Sequence, residues 1–260
     1  MIASKTLFLL LSATACVLCK PNTAVKDSSR VVLGQDAAVG QFPYYVLVVI
    51  YRANSDNQAL CGGNLISDRW VLTAGHCVEQ AQRIRLAFGL VELFDSRVVM
   101  FSTVFIRHPK YADGTLSNDI AVIKTPRKVP FNDRIKPVIM ASGPISYAKA
   151  DAFVAGFGVE SDHGDIPLAL KYAPMVIIPV SECLLDHGPY GIRPENVCAR
   201  GPNKESACFG DSGGPLVLAS NATLVGLTSY VSFYGCEQGE AVGFVRVSEF
   251  RDWIKKNTGI

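Results

Sequence analysis

From Gln41 onward the chain alternates short apolar runs with turn residues. YYVLVVIYR, RIRLAFGL, VVMFSTVFI, DIAVIKT, YAPMVIIPV and TLVGLTSYV are each rich in β-branched and aromatic side chains and bounded by Gly, Pro or Asn-Asp clusters. Runs of this length and composition are strands, because branched side chains suit a pleated, half-buried surface better than a helix. Their number and regular spacing predict an all-β barrel or sandwich architecture. The end of the chain differs. There SEFRDWIKKNTG puts Phe250, Trp253 and Ile254 on one helical face behind Ser248, a good N-cap, so a short terminal helix is expected over about 248–258. The stretch from Thr125 to Ser146 is rich in proline and has no periodicity, which makes it the expected connector between two halves.

Length and composition bound the rest. With 260 residues and 49% hydrophobic against 18% charged, the chain can build one large domain or two small ones with real cores. The formal charge of +2 is concentrated at the start: residues 31–260 keep 21 basic and 22 acidic side chains, a balance of −1. No basic face is predicted, and neither nucleic acid nor a membrane is an expected partner.

The opening MIASKTLFLLLSATACVLCK has an early lysine, an apolar run from Leu7 to Leu11 and small residues before a plausible cut. It reads as a secretory signal peptide over 1–19, with cleavage after Ala15 or as late as Cys19, and it is too short and too interrupted for a membrane span. Export agrees with the cysteines: Cys61, Cys77, Cys183, Cys198, Cys208 and Cys236 form an even set suited to an oxidising compartment. Spacing alone leaves all of their connectivities open. Asn221-Ala222-Thr223 is a glycosylation sequon, with Asn221 as the acceptor.

Three segments carry chemistry: VLTAGHC at 71–77, SNDIAVIK at 117–124 and CFGDSGGPLV at 208–217. They supply His76, Asp119 and Ser212. A serine hydroxyl is a poor nucleophile unless a base takes its proton, imidazole has a suitable pKa, and a buried carboxylate can fix the imidazole tautomer. Taken singly, each has a bland alternative: a glycine turn, a packed histidine, a strand-end cap. Together they point to nucleophilic catalysis. His108, His163 and His187 sit in loop-like settings and read as structural or solvated, and no cluster has metal-ligand spacing, so neither a metal nor a cofactor is expected.

These segments, in the order His, Asp, Ser, resemble those of the trypsin and chymotrypsin family of serine proteases over about residues 30–260. The resemblance implies two packed six-stranded antiparallel β-barrels, about 31–135 and 136–247. It also implies a triad of His76, Asp119 and Ser212 and an oxyanion hole made by the amides of Gly210 and Ser212. Arg30-Val31-Val32-Leu33-Gly34 resembles the family's activation site: a trypsin-like protease would cut after Arg30, remove the propeptide 20–30, and free the Val31 amino group to pair with Asp211. The family's pairings imply the disulfides Cys61–Cys77, Cys183–Cys198 and Cys208–Cys236, while a further bridge of many relatives is replaced by Ala152 and Leu218.

The resemblance also implies a specificity. Ser206 falls at the floor of the primary pocket, where trypsin-like members carry aspartate, and Val231 and Val242 fall on its walls beside Ser229 and Tyr230, with Phe209 at the entrance. Small or medium apolar P1 residues are therefore expected, with aromatic P1 as the alternative. Gly75, Leu33, Phe157 and Tyr230 depart from the family's usual residues without removing a reacting group. GCEQGEAVGFVRV resembles arthropod members. The expected product is a secreted monomeric endopeptidase that acts on proteins or peptides and is open to protein inhibitors. The competing expectation is a binding protein that keeps the scaffold and has lost the catalysis.

Overall fold

The computed structural model describes residues 32–53 and 57–260, with the backbone alone at 189–191. The expected signal peptide (1–19), the expected propeptide (20–30) and Val31 lie outside the described residues.

Among the described residues, fourteen strands form two antiparallel sheets. After β1 (Gln35–Asp36), the first sheet is built from β2 (Tyr45–Arg52), β3 (Gln58–Leu65), β4 (Trp70–Thr73), β5 (Ala81–Phe88), β6 (Val98–Ser102), β7 (Phe105–Arg107) and β8 (Ala121–Lys124). Its order is β6-β5-β2-β3-β4-β8-β7. The two ends of that order, β6 and β7, are halves of the predicted strand VVMFSTVFI, interrupted at Thr103-Val104, so the sheet curves round to meet itself. Ser102 bridges the interruption: its Oγ donates to Lys124 O at 2.6 Å and accepts from Val104 N–H at 3.1 Å.

The second sheet holds β9 (Asp151–Gly156), β10 (Lys171–Ile178), β11 (Asn196–Arg200), β12 (Pro215–Leu218), β13 (Leu224–Tyr230) and β14 (Val242–Arg246), with β1 on its margin. Pairing of β9 with both β12 and β10 closes it into a six-stranded barrel. Pro174 interrupts β10 without breaking it. Its partner on one side is Phe153, while on the other side β1 stops at Tyr172 and β11 begins opposite Val176, so no ladder bond needs the missing N–H. Ala152 and Leu218, expected to stand in place of a further bridge, are direct cross-strand partners and both buried. The three disulfides join Cys61 to Cys77, Cys183 to Cys198 and Cys208 to Cys236.

Two helical features differ from the sequence reading. α1 (Val180–Gly191) follows β10, and it contains His187, expected in a loop. The C-terminal α2 (Arg251–Thr258) is preceded by a 3-10 turn over Val247–Phe250, so Phe250, not Ser248, stands at its N-cap. Ser248 lies inside that turn, too early to reach the first amides of α2.

One apolar core runs through both sheets, linking Leu47, Ile50 and Ile123 of the first to Leu227 and Val245 of the second. β3 of the first sheet comes within backbone contact of the serine segment that precedes β12. Gly62 N–H donates to Ser212 O at 2.8 Å, Asn64 Nδ2 donates to Gly213 O at 2.9 Å, and a side chain on Gly62 would meet Gly214 Cα at 2.7 Å. The serine segment is therefore held against β3 by backbone and amide hydrogen bonds, and the glycines around it are needed for this close approach.

Candidate active site

Asp119 heads the apolar strand β8 and is fully buried. A carboxylate there requires hydrogen-bond donors, and it has three. Oδ1 accepts the backbone N–H of His76 at 2.8 Å, while Oδ2 accepts from His76 Nδ1 at 2.9 Å and from Ser229 Oγ at 2.6 Å. With Nδ1–H donated to the carboxylate, Nε2 is left as the basic nitrogen of the ring. Burial lowers the His76 pKa, but the hydrogen bond and charge of Asp119, helped by Glu79, outweigh it, and the net shift is upward. Gly75, immediately before the histidine, is tightly enclosed: a Cβ would lie 3.0 Å from Ile120 N and 3.2 Å from Asp119 Oδ1.

His76 and Ser212 line one cavity of about 480 Å³. Behind the serine, its carbonyl is held by Gly62 N–H, and Cys77 Sγ lies 3.5 Å from it. The amides of this segment divide into two groups. Those of Asp211, Gly213 and Gly214 donate to Cys208 O, Thr228 O and Asp211 O at 3.0, 2.7 and 2.8 Å. Those of Gly210 and Ser212 donate to no acceptor among the described residues, which leaves two neighbouring N–H groups for a ligand oxygen. Gly210 has φ +105°, and a Cβ there would lie 3.1 Å from Gly158 Cα, so both backbone angle and space require glycine.

Asp211 points away from the cavity and is buried, with Oδ1 accepting from Gly158 N–H at 2.7 Å and Oδ2 from Cys208 N–H at 2.9 Å. Gly156 and Gly158 make room for it, since a Cβ on either would overlap the carboxylate. Burial pushes its pKa up to about 6, because two amide bonds do not replace the lost hydration and no cation pairs with it among the described residues. Val32, the first described residue, is buried against the Cys208–Cys236 disulfide and bridges Ser206.

Of the residues expected in the primary pocket, Phe209, Ser229, Tyr230 and Val231 line the cavity. Ser206 and Val242 do not. Both are buried: Ser206 Oγ donates to Ala207 O at 2.8 Å, and Val242 packs in the second barrel's core. Val231 packs against that core from the cavity side, so it is the valine presented to a ligand. Leu116, Thr228, Ser232 and Phe233 also line the cavity, and only their proximity in the fold reveals them. Phe209 is 58% exposed and Phe233 97%, which makes the rim aromatic. Among the described residues, no Asp, Glu, Lys or Arg lines the cavity.

The other expected features are placed as follows. Asn221 is exposed in the turn between β12 and β13, and His163 is exposed. His108 packs its ring on Phe250 and Trp253, and His187 Nε2 lies 2.7 Å from Ala241 O. The Cys61–Cys77 bridge lies beside His76, and Cys208–Cys236 ties the serine segment to the far wall.

The family profile described as Trypsin matches residues 31–254. The collagenase of Hypoderma lineatum is 36% identical over 234 residues, 89% of this chain and 88% of that protein. Brachyurin of Leptuca pugilator is 33% identical, over 88% of this chain and 99% of its own. A solved structure of HL collagenase superposes with a TM-score of 0.83 at 35% identity, covering 88% of this chain and 99% of the other.

Proposed function

Because the chain belongs to the trypsin family and is a serine endopeptidase, we propose that Ser212, His76 and Asp119 carry out the hydrolysis, in a form released by cleavage after Arg30. Ser212 Oγ attacks the peptide carbonyl while His76 Nε2 takes its proton. The negative charge that forms on the carbonyl oxygen is met by the N–H groups of Gly210 and Ser212. His76 then gives the proton to the leaving amine, and the acyl-enzyme is hydrolysed by water deprotonated at the same nitrogen. The observation that carries this reading is the double hold of Asp119 on His76, in a cavity shared with Ser212 and beside two undonated amides.

Secretion and zymogen activation belong to the same proposal. A buried carboxylate without a cation is costly, and an ammonium at Val31, one residue before the buried Val32, would neutralise it. Among the described residues no helix is long and apolar enough to cross a membrane. The activating enzyme would be a protease that cuts after arginine.

The P1 preference proposed is for small or medium apolar residues. The uncharged cavity and the position of Val231 support it. Profiling the activated enzyme with a peptide library tests it: cleavage after Ala, Val or Leu is expected, and dominant cleavage after Lys or Arg would overturn it.

A further inference from the structure

A second cavity, of about 290 Å³, opens on the outer face of the first sheet. Leu47 and Val49 of β2, Leu60 of β3, and Leu93 and Phe94 wall it, and Arg85 of β5 stands at its side. Arg85 is half-buried, yet among the described residues no carboxylate or carbonyl pairs with it. Arg83, two residues along the same face, covers the rings of Tyr51 and Phe101 at 4.7 and 4.9 Å, which adds to the positive charge. Asp95, the acid next to Phe94, is occupied by Arg97 at 2.7 Å and Arg134 at 3.8 Å. Phe94 is 85% exposed at the rim. An apolar hollow with an exposed aromatic edge and a guanidinium that nothing among the described residues neutralises is complementary to an apolar side chain next to a carboxylate.

The cavity is connected to the catalytic centre by one strand. Leu60 lines it, and Gly62, two residues further along β3, is hydrogen-bonded to Ser212 O. Two strand residues span about 7 Å. The two cavities share no lining residue among the described residues. In the endopeptidase reading, on which this inference rests, the acyl side of the substrate occupies the cavity walled by Tyr230 and Val231. The polypeptide that continues past Ser212 toward β3 is then the leaving-group side.

We propose that this second cavity is an exosite for protein substrates, which takes an apolar side chain from the leaving-group side against Leu60 and Phe94 and an adjacent carboxylate on Arg85. Its test uses internally quenched peptides that share one acyl side and carry a Leu-Asp or a Leu-Gln pair, moved one residue at a time along the leaving-group side. At the best position, Arg85→Gln should raise KM for the Asp peptide about tenfold and leave the Gln peptide and a short chromogenic substrate unchanged. Phe94→Ala, at an exposed position, should raise KM for both peptides. Equal effects of Arg85→Gln on Asp and Gln peptides at every position would overturn the proposal. Fluorescence anisotropy of the labelled Leu-Asp peptide on the Ser212→Ala protein separates the exosite from the catalysis. Binding weakened about tenfold by added Arg85→Gln supports the exosite even if the wild-type chain cleaves nothing, and unchanged binding refutes it.

Discussion

Asp119 holds His76 at two points, the backbone N–H through Oδ1 and the ring Nδ1 through Oδ2, so one buried carboxylate fixes both where the imidazole stands and which nitrogen is basic. Asp119→Asn keeps the shape but places an NH2 group where an acceptor is needed. The expected result is a fall in kcat of about 10⁴ with little change in folding, measured on a peptide anilide. A loss below tenfold would mean that Asp119 does not set the tautomer.

The upward shift of His76 has a sign that can be read from a pH profile. The imidazole must be neutral to accept a proton, so the acid limb of kcat/KM should lie above the ordinary histidine value of about 6.5. In Asp119→Asn, burial dominates and the residual activity should show that limb displaced to lower pH. A limb that stays in place would assign it to another group.

Gly210→Ala tests the two undonated amides. At φ +105° and with Gly158 Cα 3.1 Å from the new Cβ, the segment must shift, and the N–H moves with it. Loss of one donor to a developing oxyanion costs about 2.7–4 kcal/mol, so kcat should fall by about 10²–10³ while KM changes little. Stopped-flow acylation rates measure this directly.

Asp211 predicts a difference between uncut and cut protein. Its folded pKa of about 6 lies above the ordinary 3.8, so between these values the folded state holds more protons than the unfolded state, and stability falls as pH rises. The uncut chain should lose roughly 3 kcal/mol from this group between about pH 4 and pH 6. After cleavage the new ammonium offsets that loss. The offset is complete below about pH 8 and is lost as the amine deprotonates, so activity should fall in alkali. Urea unfolding across pH, on both forms, checks it. Identical curves would exclude the ion pair.

Ser206→Asp and Val231→Gly separate the buried wall from the exposed one. An aspartate at 206 would be an unpaired buried charge, so the expected outcome is destabilisation of about 3–5 kcal/mol without useful cleavage after Lys or Arg. Val231→Gly should instead widen the cavity and raise aromatic P1 cleavage by about 10–100-fold relative to alanine. Library profiling of both variants distinguishes the two.

The candidate triad was legible in the sequence because the chemistry needs particular residue types in a fixed order, and the strands because β2 and β8 are apolar, largely branched runs while β5 and β13 fall on alternating or apolar ones. What it hid is physical. α1 is short and broken at Gly188 by a non-helical backbone, so the punctuation of DHGPYG masks its helical start. The resemblance also placed Ser206 and Val242 at the pocket, and in the fold both are buried, Ser206 with its Oγ on Ala207 O. The ring of Tyr230 lies where a side chain on Gly243 would be, and Val231 covers the core that contains Val242. The amphipathic pattern of α2 was visible, whereas its start depended on a 3-10 turn that shifts the cap by two residues.

The most direct test of the central assignment is covalent labelling with a fluorophosphonate, followed by peptide mass spectrometry of uncut and Arg30-cleaved protein. Stoichiometric modification of Ser212 only after cleavage, abolished by His76→Ala, is the predicted result. A cleaved, folded chain that takes up no label, or takes it up at another residue, would contradict it.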